Sequence, residues 1–104
     1  MKEECITTEE MIQEAGLVAP RLTPQLIADT VKKTEFFKIT DVLTIAVVTL
    51  QNGFTVTGES ACASPENYNK AIGEKIAREN AVDKIWLLEG YLLKQRLFEG
   101  NQNA

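Results

Sequence analysis

The chain has 104 residues, of which 44% are hydrophobic and 25% are charged, and its formal net charge is −4. This length supports one domain with a single modest core, and the composition argues against intrinsic disorder. The acidic balance disfavours non-specific binding to nucleic acid or anionic membrane, because both carry negative charge. The sequence contains no histidine, which removes the commonest general base near neutral pH and the commonest metal ligand.

Two cysteines, Cys5 and Cys62, make neither a disulfide framework nor a zinc site. No apolar run is long enough to span a bilayer, and the first residues do not resemble a signal peptide. We therefore expect both thiols to be free in a cytoplasmic protein without metal or cofactor. No base accompanies Ser60 or Cys62, and no glycine motif for phosphate is present, which predicts a protein that is not an enzyme.

Residues 1–42 are predicted to form a helical region, with eight acidic side chains against five basic ones. Thr7 and Glu10 have the spacing of a capping box, and Gly16 can end the helix that they begin. The pattern therefore predicts a first short helix before residue 17.

A second helix is predicted to begin with Thr23 as its N-cap and Pro24 as its first residue. Apolar and small polar residues follow at helical spacing as far as Thr34. Residues 35–40 suit either the last turn of this helix or a short extended segment. The sequence leaves these two alternatives open.

The clearest element is a β-hairpin over residues 43–62, because both of its strands are rich in β-branched residues. The dipeptide Asn52-Gly53 is the strongest short signal for a hairpin, and it favours a two-residue type I′ loop. This loop would place Gln51 opposite Phe54 and would set the register of the whole hairpin.

The predicted register gives the hairpin two faces. The face expected to form the core carries Leu43, Ile45, Val47, Phe54, Val56 and Cys62. The second face is half apolar and carries Thr44, Ala46, Val48, Leu50, Thr55, Thr57 and Glu59. A small monomer has too few elements to cover both faces, so we expect the second face, or the helix from 86 to 98, to pack against another copy of the chain.

The residues at 64–66, Ser-Pro-Glu, predict the start of another helix, which apolar residues continue as far as Leu97. One helix of this length is unusual in a small domain, so we expect a bend or break near 79–80 or 86–87. Residues 99–104 are expected to fray. The predicted fold is a single α+β domain with a β-hairpin, N-terminal helices and a long or broken C-terminal helix, assembled as a homo-oligomer.

Two glycines inside predicted regular elements indicate close packing. Gly58 lies in the second hairpin strand and is expected to let a helix approach closely. Gly73 lies in the C-terminal helix, where glycine is unfavourable, and is expected to mark a point where another backbone comes near.

The run from Thr49 to Leu93 contains the segments LQNGFTVTGESAC, SPENYN, AIGEKIAREN, AVDKIW and LEGYLL in that order. It resembles a small family carried by tailed bacteriophages and prophages, named after gene forty-nine of one podophage and gene sixty-six of another. The resemblance implies a phage gene whose product acts in the host cytoplasm, and it implies no particular reaction.

A phage-like chain without catalytic groups predicts a non-enzymatic accessory protein that acts on a host or anti-phage defence component. It would sequester a small nucleotide signal or bind a host protein. In an oligomer we expect the ligand pocket at the subunit boundary. The residues expected to line it are polar or aromatic, namely Thr55, Thr57, Glu59, Lys70 and Trp86. Trp86 is more typical of a core than of a pocket, since large aromatic side chains dominate cores.

The alternative hypothesis is a nucleic-acid-binding module, because a hairpin followed by a capped helix resembles the C-terminal half of double-stranded RNA-binding domains. Lys70, Lys75 and Arg78 would then contact phosphates. Three contacts are few for strong binding at physiological salt. A third class is an enzyme that uses carboxylates and a hard cation. Glu79 and Asp83 repel each other mildly at this helical spacing and could hold such a cation, but this class is disfavoured.

Overall fold

A computed structural model describes residues 20–103, with side chains to residue 100. The fold is α+β, as the sequence predicts. Its elements follow in the order α1 (Pro24–Thr30), β1 (Val31–Lys38), β2 (Leu43–Leu50), β3 (Thr55–Ala61), a 3₁₀ turn (Pro65–Asn67) and α2 (Lys70–Asn103). The helix predicted before residue 17 lies outside the described residues.

The three strands form one antiparallel sheet with β2 in the centre. One side of this sheet packs against both helices, since Ile27 of α1 and Ile85 of α2 share a core cluster with residues of β2 and β3. We call this side the helix-facing side and the opposite side the open face. The buried residues of β2 all point to the helix-facing side: Thr44, Ala46, Val48 and Leu50.

The start of α1 is confirmed, because the Thr23 hydroxyl accepts a hydrogen bond of 3.1 Å from the Leu26 amide. The predicted continuation of the helix to Thr34 is wrong, since residues 31–38 form β1. A bulge between Val31 and Lys33 turns both Val31 and Thr34 to the helix-facing side. Their three-residue spacing therefore imitates a helical period inside a strand, and of the two alternatives for 35–40 the extended one is observed.

The hairpin is confirmed, but its loop has three residues instead of two. The Leu50 amide donates to the Phe54 carbonyl over 2.8 Å, and the Gly53 amide donates to the Leu50 carbonyl over 2.9 Å. Within residues 20–103 a positive φ occurs only at Gly53, at 91°, whereas a type I′ loop also needs one at Asn52. The loop is therefore a type I turn closed by a glycine bulge.

This loop shifts the register by one residue, so Val56 lies opposite Val48 and not Thr49. A shift of one residue exchanges the two faces of a strand, and the predicted core face of β2 is therefore wrong. The β2 residues predicted to form the core lie on the open face. The β2 residues predicted for the second face are buried beneath the helices. The prediction holds for Val56 of β3 but not for Phe54, which directly precedes β3 and is 55% exposed.

Cys62 was predicted to face the core and is only half-buried. It follows β3 directly, and its thiol lies 3.3 Å from the Ser64 carbonyl, to which it donates a hydrogen bond. This hydrogen bond therefore links the end of β3 to the residue that precedes the 3₁₀ turn.

α2 begins later than predicted and does not break. The Asn69 side chain accepts a hydrogen bond of 3.0 Å from the Ile72 amide, while the Ser64 hydroxyl bonds to Glu66 without capping a helix. From Lys70 the helix runs for 34 residues to Asn103, so the break predicted near 79–80 or 86–87 does not occur. Proline is the usual cause of a sharp kink, and this stretch contains none. No helix within residues 20–103 combines the length and the apolar character needed to cross a membrane.

The predicted close approach at Gly58 is confirmed. A Cβ at this position would overlap the carbonyl oxygen of Ala77 and the amide nitrogen of Ala81, so α2 lies directly on the backbone of β3. Next to this contact the Asn80 side chain donates a hydrogen bond of 2.7 Å to the Glu59 carbonyl. At Gly73 the near neighbour is a side chain and not a backbone, because a Cβ there would lie 3.3 Å from the Thr44 hydroxyl.

Replacing Asn69 by alanine is expected to lower the free energy of unfolding by about 1 kcal/mol, the usual cost of losing an N-cap. Urea denaturation followed by circular dichroism measures the change. Asn67→Ala is the matched control, because Asn67 is exposed and lies in the 3₁₀ turn before the cap. An equal loss in both variants would contradict the capping role of Asn69.

Candidate functional site

A recess lies between α2, α1 and β1. It forms because α2 packs mainly on β2 and β3 and leaves the helix-facing side of β1 uncovered. The recess has a volume of about 340 Å³, which lies at the lower end of the range of about 300–1,000 Å³ typical of ligand pockets. We call it the groove. Its lining residues are Pro24, Ile27, Ala28, Val31, Thr34, Arg78, Val82 and Trp86.

Each element contributes a different part of the groove. Val31 and Thr34 of β1 form the floor, and the bulge in β1 is what turns both of them inward. α1 forms one end and presents apolar side chains. Three residues of α2 at successive turns form the long wall, namely Arg78, Val82 and Trp86.

The long wall has an aromatic end and a cationic end. Trp86 is half-buried and packs against the core cluster while its ring also lines the groove. Arg78 lies eight residues earlier, about 12 Å along the helix axis. Its side chain is exposed and borders a second recess, of about 420 Å³, with Phe36, Glu74 and Lys75. The groove therefore leads from an apolar, aromatic recess to the guanidinium group of Arg78.

Arg78 is available to an anion, whereas Lys75 is partly neutralised. Lys75 forms an ion pair of 3.0 Å with Glu79. Within the described residues Arg78 forms no ion pair. A guanidinium group can bind a phosphate or carboxylate through two parallel hydrogen bonds, and an indole face can stack on a planar ring.

The structure does not gather the predicted ligand-binding residues into one site. Trp86 alone lies in the groove. Thr55, Thr57 and Glu59 are exposed on β3 and point to the open face, on the other side of the sheet. Lys70 is the first residue of α2, about 24 Å along the helix axis from Trp86.

The three predicted phosphate contacts lie closer together. Lys70, Lys75 and Arg78 are all exposed on the first nine residues of α2, and the last two border the same recess. They form a short basic stretch next to the groove, and Arg78 belongs to both.

Sequence reasoning missed the groove residues on α1 and β1. They belong to elements that meet only in the folded chain, and reading residues 31–34 as helix removed the strand that forms the floor. The signal that could have shown the strand is the β-branched and aromatic content of residues 30–37.

The fold and the groove define a small α+β protein with a preformed concave site between a long helix and an edge strand. The chain belongs to the phage protein (N4 Gp49/phage Sf6 gene 66) family, whose model matches residues 22–97. The match includes the hairpin-to-helix run that carries the resemblance, and it extends to α1 and β1. No curated protein and no solved structure matches the chain. The description of the family names phages as the source and states no ligand or reaction.

Proposed function

We propose that this phage protein is a non-catalytic binding protein that sequesters a small nucleotide in the groove. The observation that supports the proposal is the position of Trp86 and Arg78 on one wall of the same recess. Stacking of the nucleobase on the indole would hold the planar part of the ligand, and the guanidinium would hold a phosphate.

The size of the groove favours a nucleotide over a host protein. A volume of about 340 Å³ suits a small molecule, whereas a stable protein partner needs about 800 Å² of surface on each side. In the host cytoplasm, removal of a nucleotide signal from solution would weaken a defence that depends on it. The chain is acidic overall, and the basic stretch at the start of α2 lies beside the groove, which is compatible with a small anionic ligand.

Trp86 is the only tryptophan in the chain, so its fluorescence reports on the groove alone. We expect a saturable change in this fluorescence on titration with one or more members of a panel of mono-, tri- and cyclic nucleotides. Arg78→Gln is expected to raise the dissociation constant by about 10- to 100-fold, because a hydrogen bond to a charged group contributes about 1.5–3 kcal/mol. The bound nucleotide should be recovered chemically intact after heat denaturation.

Lys33→Gln is the matched control, because it removes one positive charge from β1 on the open face, away from the groove. It should leave the dissociation constant within about twofold, since it removes only a long-range, screened interaction. No saturable signal with any nucleotide, or an equal effect of both substitutions, would contradict the proposal. Recovery of a cleaved nucleotide would indicate an enzyme, and a salt-sensitive gel shift with duplex RNA would favour the nucleic-acid-binding alternative.

A further inference from the structure

The second half of α2 exposes large apolar side chains. Leu87 is 77% exposed, Tyr91 is 72% exposed and Phe98 is 50% exposed. Helix surfaces in water normally carry polar residues on the side away from the core. An exposed apolar patch of this kind marks an interaction site.

These side chains follow the spacing of a coiled-coil seam. Leu87, Tyr91, Lys94 and Phe98 are separated by four, three and four residues, which repeats every seven. Leu88 and Leu97 flank this row and are 40% and 39% exposed. We call the row of four residues the seam. None of its members lines the groove, so the two surfaces are separate.

We propose that the seam pairs with the seam of a second copy of this chain, with the two helices antiparallel. The spacing is symmetric about the midpoint between residues 92 and 93. A two-fold axis at this point places Leu87 of one copy against Phe98 of the other, and Tyr91 against Lys94. The flanking leucines lie on the two sides of this row, so Leu88 covers one side of the seam and Leu97 the other.

The charge at Lys94 selects the antiparallel arrangement. In a parallel pair in register, Lys94 of one copy would face Lys94 of the other inside the seam, where two like charges repel. In the antiparallel pair each ammonium group lies against the ring of Tyr91, a favourable cation–π contact.

The overlap is long enough for a stable contact. Residues 85–100 of each copy would run side by side for about 24 Å, at 1.5 Å per residue. Each copy brings two aromatic residues, whose side chains each bury about 150–250 Å² when covered completely. Together with three leucines they supply most of the apolar centre of an interface of standard size, about 800 Å² on each side.

Sedimentation equilibrium of the full chain tests the pairing. The wild-type protein should have twice the chain mass of 11.6 kDa, and Tyr91→Glu should weaken the dimer at least 100-fold without loss of helix by circular dichroism. The control is Phe37→Glu, which places the same charge at a 47% exposed aromatic residue of the open face. A wild-type monomer, or a dimer that dissociates with Phe37→Glu and persists with Tyr91→Glu, would overturn the proposal.

Disulfide mapping tests the orientation. In a background with Cys5→Ser and Cys62→Ser, the variants Leu87→Cys and Phe98→Cys are prepared separately and then mixed. The mixture should form a disulfide between positions 87 and 98, and neither variant should cross-link alone. Cross-linking of Leu87→Cys with itself would overturn the antiparallel arrangement. Neither measurement depends on a nucleotide, so failure of the groove proposal would leave this one intact.

Discussion

Gly58→Val is expected to unfold the protein or to lower its free energy of unfolding by more than about 3 kcal/mol, beyond the usual cost of overpacking a core. The reason is that the atoms closest to the new side chain belong to the backbone of α2. A side chain at this position would overlap Ala77 and Ala81 of α2, and neither backbone atom can move without displacing the helix. Because α2 covers β2 and β3 together, this displacement would expose most of the core.

Urea denaturation measures the loss, with circular dichroism reporting any fraction already unfolded in water. Thr57→Val is the matched control, because it places the same side chain at the preceding residue, which is exposed on the open face. Its free energy of unfolding should stay within about 0.5 kcal/mol of wild type. A stable Gly58→Val protein would mean that α2 does not lie against β3 at this point.

Ile85→Ala is expected to lower the free energy of unfolding by about 3 kcal/mol, within the range of about 2–5 kcal/mol for such truncations. Ile85 is completely buried in the cluster that joins α1, the sheet and α2. Truncation there removes apolar contacts and leaves a cavity that the close helix–sheet contact prevents from collapsing.

Ile72→Ala provides the comparison, since it makes the same change on the same helix at a residue that is 56% exposed. Its cost should stay below about 1 kcal/mol, because it removes less apolar area from the folded state. Both variants are measured by urea denaturation at one protein concentration, so that any self-association affects them equally. Similar losses would contradict the assignment of Ile85 to the core.

The two proposed surfaces use different sides of one helix. The groove uses Arg78, Val82 and Trp86, which face β1 and α1. The seam begins at Leu87 and lies away from these elements. A pair formed through the seam would therefore keep both grooves open, one at each end, and the predicted site at the subunit boundary is not required.

Local signals in the sequence were sufficient for several features. Thr23 and Pro24 identify the start of α1, and Gly53 identifies the turn of the hairpin, because each depends on backbone chemistry within a few residues. Gly58 identifies the helix contact, since a glycine inside a strand needs a reason beyond the strand itself. Of the predicted ligand residues, only Trp86 lines the groove. It lies on α2, the long helix that the apolar pattern of the sequence predicts.

The tertiary structure alone decided which face of β2 is buried. Asn52-Gly53 is compatible with a loop of two or three residues, and the two loops give opposite faces. The observed register sets Ala46 opposite Gly58, and these small residues let α2 approach through Ala77 and Ala81. Leucine, isoleucine and valine at 43, 45 and 47 would hold the helix away.

The sequence by itself therefore determined the elements that depend on neighbouring residues: the α1 cap, the hairpin and the long apolar helix. The hairpin register and the groove, in contrast, follow from the packing of the folded chain. Both depend on how closely α2 can lie on the sheet. That distance is set by residues far apart in the chain, and no local pattern reports it.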